Sequence, residues 1–172
     1  VCKDIDTGEI HKFVQEECYT KFSKWSKQVK MWVGHNIINF DLLVLKVALG
    51  LNYTVGDTDS FDGQEVAIWD TMIGSKVLNP DRYGGHSIEA WGKTLGLEKI
   101  DWRSKAIEVG LITKDDPAGS EFQTYHPEML VYNIRDVEVN HKVYDALIKE
   151  WGDWPWQDAF KLEQKVAEII TR

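Results

Sequence analysis

Short apolar strands alternating with amphipathic helices predict an α/β fold, and three stretches carry that expectation. Residues 31–33 form a buried strand, and residues 39–51 place Leu42, Leu43, Leu45, Val47, Ala48 and Leu49 at helical spacing. Residues 66–69 repeat the pattern, with Asp70 placed to cap the helix that follows. A long helix then starts at His126-Pro127-Glu128, with proline at the first helical position. Its predicted apolar stripe is Leu130, Ile134, Val137, Tyr144, Leu147 and Ile148.

The remaining elements follow in order. Residues 1–6 and 10–14 read as two strands joined by the turn Asp6-Thr7-Gly8. Residues 16–30 read as a helix with Phe22, Trp25 and Val29 on its inner face. Residues 52–65, rich in Asp and Gly, are expected to be an exposed loop. After a break at 80–85, Ser87 caps a helix that runs through Leu95 and ends at Gly96, with Trp91 in the core. A short helix covers 102–111, and a loop follows at 114–120. The run Gly152-Asp153-Trp154-Pro155-Trp156 breaks the long helix. A last amphipathic segment carries Phe160, Leu162, Val166, Ala167, Ile169 and Ile170 to the final residue.

Composition narrows the class. A chain of 172 residues with 43% hydrophobic content and eight Trp can bury a core as one domain. It has no run of about 18 apolar residues, so no membrane span is expected. No signal peptide is visible. Cys2 and Cys18 are too few for a disulfide framework and read as reduced thiols, which suits a cytoplasmic setting. A net charge of −8 argues against a wide footprint on duplex DNA. It leaves room for a pocket that takes a few nucleotides of single strand.

Two motifs carry the chemistry. Val33-Gly34-His35-Asn36-Ile37-Ile38-Asn39-Phe40-Asp41 sets polar groups at the carboxyl end of a strand, where open α/β sheets bind ligands. Taken alone, Asn39 or Asp41 could serve only to cap the helix. Tyr132-Asn133-Ile134-Arg135-Asp136 puts a phenol and a carboxylate on one helix face, on a helix that also carries Asn140. The apolar stripe is expected to lie to one side of that pair.

Together these stretches resemble the second and third motifs of the DEDDy proofreading 3′–5′ exonucleases, and in particular the exonuclease domain of phage-type family A DNA polymerases. Ile68-Trp69-Asp70-Thr71, the passage from Gly84 to Gly96 containing Ala90-Trp91-Gly92, and Leu162-Glu163 in the closing helix fit it in order. The resemblance implies a ribonuclease H-like, DnaQ-like mixed sheet with helices on both faces. It also implies an exonuclease domain over residues 1–151, with residues 152–172 as a helix leading toward a polymerase domain of the same longer chain. The implied substrate is a single-stranded DNA 3′ end, and the implied cofactor is Mg²⁺ or Mn²⁺, two ions in a complete domain.

Carried onto matching residues, Asp136 would hold the ion that activates water and Tyr132 would orient that water. Asp41 would hold the second ion. His35, Asn36 and Phe40 would line the slot for terminal nucleotides, with Phe40 expected in the core ahead of a stacking role. Asp70 reads first as a cap. The family's Asp-x-Glu motif is not found: Asp4-Ile5-Asp6 is similar on the surface but ends in a hairpin turn, so the first strand is expected to be missing and this piece impaired. The alternatives are a stand-alone exoribonuclease of the same fold, or a degenerate module that binds nucleic acid or a partner without catalysis.

Overall fold

In the computed structural model, which describes residues 1–98, 100–153 and 155–171, two parallel strands form the centre of the molecule. Element by element, the chain opens with β1 (Cys2–Lys3) and β2 (Ile10–His11), an antiparallel pair shorter than the strands predicted. The Asp4 carboxylate accepts from the backbone N–H of Asp6 and Thr7 at 2.9 and 2.7 Å, which closes the turn. The helix predicted over 16–30 is split into a π-helical turn, Cys18–Phe22, and α1 (Ser23–Ser26). Phe22 lies buried beneath it, against Phe13, Trp25 and Trp32.

β3 (Met31–Gly34) follows, then α2 (Asp41–Leu49), which Gly50 ends in the left-handed region at φ 70°. Residues 52–65 are more than an exposed loop. They fold into an antiparallel meander of β4 (Tyr53–Thr54), β5 (Ser60–Phe61) and β6 (Gln64–Glu65), with Val55 and Phe61 buried. β7 (Ala67–Asp70) then pairs with β3 in parallel, Val33 opposite Trp69 and Gly34 opposite Asp70.

The helices cover both faces of this pair. In a strand, alternate side chains point to opposite faces, so Trp32 and Ile68 face the cluster of Phe22, Leu42, Leu51 and Phe61. Trp69 faces the other way, toward α3 (Thr71–Leu78), α6 (Glu128–Trp151) and α7 (Gln157–Thr171). Its ring lies 4.7 Å from Phe160 and 5.3 Å from Tyr144. A Cβ at Gly74 would come within 2.5 Å of the same ring, so the strand and α3 pack closely because that residue is glycine. The architecture is a mixed α/β fold with helices on both faces.

The remaining helices attach to α6. α4 (Ile88–Thr94), capped by Ser87 as predicted, buries Trp91 against Val139, Val143 and Leu147. α5 (Trp102–Glu108) carries a satellite core of Trp102, Ala106 and Ile112. The buried stripe of α6 is therefore Val139, Val143 and Leu147, while Ile148 is exposed. That stripe is rotated from the predicted one, because α6 packs against Trp91 of α4 and Leu78 of α3 as well as against Trp69 of β7. The predicted break at 152–156 includes Trp154, which lies outside the described residues.

Candidate functional site at the carboxyl ends of the parallel strands

Asp70 organises this end of the molecule. It is fully buried, and its carboxylate accepts from Met72 N and Ile73 N at 2.9 and 3.3 Å, so it caps α3 as predicted. The same carboxylate also accepts from Asn36 N at 3.0 Å and Ile38 N at 3.3 Å. Burial pushes its pKa up, while the N–H donors of Ile38, Ile73, Asn36 and Met72 pull it back. One side chain thus joins the second-motif loop to the start of α3. Asn36 takes a left-handed conformation there, φ 61°, which asparagine tolerates better than most residues.

Neither Asn39 nor Asp41 caps α2. Phe40 stands at the capping position, and no side chain bonds the helix end. Asn39 donates instead to Asn36 Oδ1 at 3.1 Å, and it meets the Thr171 hydroxyl of α7. Asp41 opens α2 with its outer side exposed. Burial of its carboxyl nevertheless pushes its pKa up to about 6; its own backbone N–H and the Val1 amine oppose the rise, and the charge of Asp70 adds to it. Burial also drives the Cys2 thiol up to about 11, with Asp41 contributing, so β1 lies beside Asp41.

Phe40 is 62% exposed, against the expectation that it belongs to the core. The reason is local. Ile37 and Ile38 fill the core positions of this loop, and a Cβ on Gly34 would sit 2.6 Å from Ile37, so the chain turns too tightly for a third apolar side chain to enter.

A hydrogen-bonded row crosses the strand ends. Thr71 Oγ1 donates to Asn140 Oδ1 at 2.7 Å, and His35 Nδ1 lies 2.9 Å from the same hydroxyl. With the hydroxyl proton directed to Asn140, His35 donates to that oxygen through Nδ1. Asn140 Nδ2 reaches the Val33 carbonyl at 3.4 Å, which ties α6 to β3. His35 is therefore turned inward as a support for this junction, with Nε2 shielded from solvent.

Tyr132, Asp136 and Asn140 succeed one another at four-residue spacing, so Asp136 lies about 6 Å along the α6 axis from the contact with β3 and Tyr132 about 12 Å. Asp136 is half-buried and in line with the buried stripe, not to one side of it, and its Oδ1 is shielded from solvent. The Tyr132 ring stands 6.5 Å from Trp102 and 6.3 Å from Phe122, at the edge of the satellite core. Thr71, Asn140 and Gln164 are members of this region that sequence reasoning did not assign to the site. Thr71 follows the capping Asp70 and so looked like an ordinary helix start, Asn140 reads only as a residue of the long helix, and Gln164 lies in a closing helix read by its apolar residues and by Leu162-Glu163.

Among the described residues, no group of three or more His, Cys, Asp or Glu gathers closely enough to hold a metal ion. A donor set of one or two carboxylates is the kind Mg²⁺ uses, with waters and substrate phosphates completing its shell. Asp4 is committed to its turn by two backbone N–H bonds and is a poor candidate ligand.

The fold defines a mixed α/β domain with polar groups collected at the parallel strand ends, and the chain shares distant similarity with phage DNA-directed DNA polymerases. Those of Escherichia phage T7 and Enterobacteria phage T3 are each 31% identical to it over 88 residues. The match covers 49% of this chain but only 12% of either polymerase. No family model matches the chain. Among the described residues, no helix is long and apolar enough to cross a membrane.

Proposed function

We propose that this chain is a 3′–5′ exonuclease module of the proofreading kind, acting on the single-stranded 3′ end of DNA and working with a polymerase domain of a longer chain. The observation that supports the reading is the junction of α6 with the end of β3 through Asn140, which ties the helix that carries Tyr132 and Asp136 to the strand that leads into the loop bearing His35 to Asp41. Similarity to two phage DNA polymerases supports it.

In this reading Asp41 and Asp136 hold Mg²⁺ or Mn²⁺. Such ions, when bound, supply a nucleophilic water and neutralise charge on the phosphate. The chain's own groups do the rest. The Tyr132 hydroxyl orients water beside Asp136, Phe40 presents an exposed ring to a terminal base, and Asn36 holds the loop open in its left-handed turn. His35 keeps Thr71 and Asn140 in register. A mismatched terminus costs less to unstack than a paired one, which favours its entrance into a single-strand slot.

The edge of β3 away from β7 pairs with no strand among the described residues. An Asp-x-Glu strand pairing there would bring two further carboxylates to the same strand ends, and the chain as it stands is expected to be slow. The test is Mn²⁺ binding, followed by water-proton relaxation, together with trimming of 5′-labelled single-stranded DNA. Asp41→Asn and Asp136→Asn are each expected to weaken Mn²⁺ binding at least tenfold and to abolish 3′ trimming. Mn²⁺ binding that ignores both substitutions would overturn the assignment.

A further inference from the structure

We infer that the lysine-bearing surface of the π-helical turn and α1 is a second binding surface, distinct from the strand-end crevice, for the phosphodiester backbone of single-stranded nucleic acid. Lys21, Lys24, Lys27 and Lys30 recur every third residue, and all four are exposed. Between Glu17 and Asp41 there is no Asp or Glu, in a chain whose net charge is −8. Lys21 lies in the π-helical turn, Lys24 in α1, and Lys27 and Lys30 in the stretch that leads from α1 to β3, so this segment carries positive charge along its length with no acidic residue inside it. Lys21 is partly neutralised by Glu17 at 2.5 Å, whereas Lys24, Lys27 and Lys30 form no ion pair among the described residues.

Lys21, Lys24, Trp25, Lys27 and Gln28 line a shallow, open depression on this surface. Trp25 is half-buried, packed against His11, Phe13, Phe22 and Trp32, and leaves part of its indole facing that depression. Basic grooves that contain aromatic rings are how single strands are held without sequence preference.

Its place in the fold separates it from the crevice. The Lys30 carbonyl accepts from Ala67 N, at the amino ends of the parallel strands. The crevice lies at their carboxyl ends, about 13 Å away along a four-residue strand. A strand whose terminus sat in the crevice would have this surface within a few nucleotides. The small footprint and the acidic remainder of the molecule favour a single strand over duplex.

The choice of nucleic acid over another polyanion rests on the proposed exonuclease reading, and a metal-free assay separates the two. Fluorescence anisotropy of a labelled oligodeoxythymidylate, in EDTA and over a salt series, measures binding without cleavage. The triple variant Lys24→Gln, Lys27→Gln, Lys30→Gln is expected to bind at least tenfold more weakly, and its log–log salt slope should be shallower by about 2, from about 0.7 per lost phosphate contact. A control with the same charge change at exposed Lys114, Lys149 and Lys161 is expected to keep the wild-type slope. An equal loss in the control would overturn the proposal, as would an unchanged slope in the triple variant. Binding of the wild type to anionic phospholipid vesicles but not to the oligonucleotide would overturn it too. Loss of trimming in Mg²⁺ with intact metal-free binding would count against the exonuclease alone.

Discussion

Asp41 shows how a single residue's setting decides its chemistry. Its ordinary pKa of 3.8 is raised to about 6. Between about pH 4 and pH 6 the folded chain keeps a proton that the unfolded chain has released, so this group makes the protein less stable as pH rises through that window. In the proposed function, the same protonation is expected to oppose cation binding at Asp41 below about pH 6. Carbon-13 NMR of the Asp41 carboxyl is expected to show a midpoint near 6 that moves down when Mg²⁺ is added, and Asp41→Asn should remove that part of the stability slope. Asp70 behaves differently. Four backbone donors point at it, so it is committed to the loop and to α3 and is not available to a ligand. Its role as a cap was readable from position alone; its second pair of bonds, to Asn36 and Ile38, required the loop to fold back.

At the scale of elements, α7 illustrates how a need for hydrogen bonds can override an apolar stripe. The outer edge of β7 exposes the Ile68 and Asp70 backbone groups that do not face β3. Gln164 satisfies two of them, donating to the Ile68 carbonyl at 3.0 Å and accepting from Asp70 N at 2.9 Å, while Asp59 accepts from Ile68 N at 3.0 Å. The Gln164 amide thus takes the place of a residue in a neighbouring strand and closes an edge that would otherwise be open to pairing. An unsatisfied buried group costs about 1–3 kcal/mol. Gln164→Leu is accordingly expected to lower unfolding free energy by about that amount in urea, and to speed exchange of the Asp70 amide hydrogen more than that of amides in α4. A variant as stable and as protected as wild type would show that α7 is held by Phe160 alone.

For the whole molecule, that choice has a visible result. α7 buries Phe160, Gln164 and Glu168, and leaves Leu162, Ile169 and Ile170 at 60, 60 and 79% exposed. Most apolar residues of this amphipathic segment point outward because Gln164 and Phe160, which share one face, are claimed by the strand edge and by Trp69. Surface substitutions away from packed features usually change stability by less than about 0.5 kcal/mol. Leu162→Ser, Ile169→Ser and Ile170→Ser are therefore expected to leave the melting temperature nearly unchanged singly and together, while reducing self-association in light scattering. A loss of several degrees would mean that this face is packed in solution.

Periodicity and turn chemistry alone determined the α/β class, the strands at 31 and 67, the caps at Asp70 and Ser87 and the burial of Trp91. Each of these depends on residues within a few positions of one another, where local sterics and hydrogen bonds decide. The tertiary structure decided what depends on partners far along the chain: the outward turn of Phe40, the inward turn of His35, the rotated stripe of α6 and the place of Gln164, 96 positions from Ile68. No local pattern encodes these, because a buried strand edge or a tight glycine contact exists only once distant segments have met, and their polar groups then take whichever donor the packing brings.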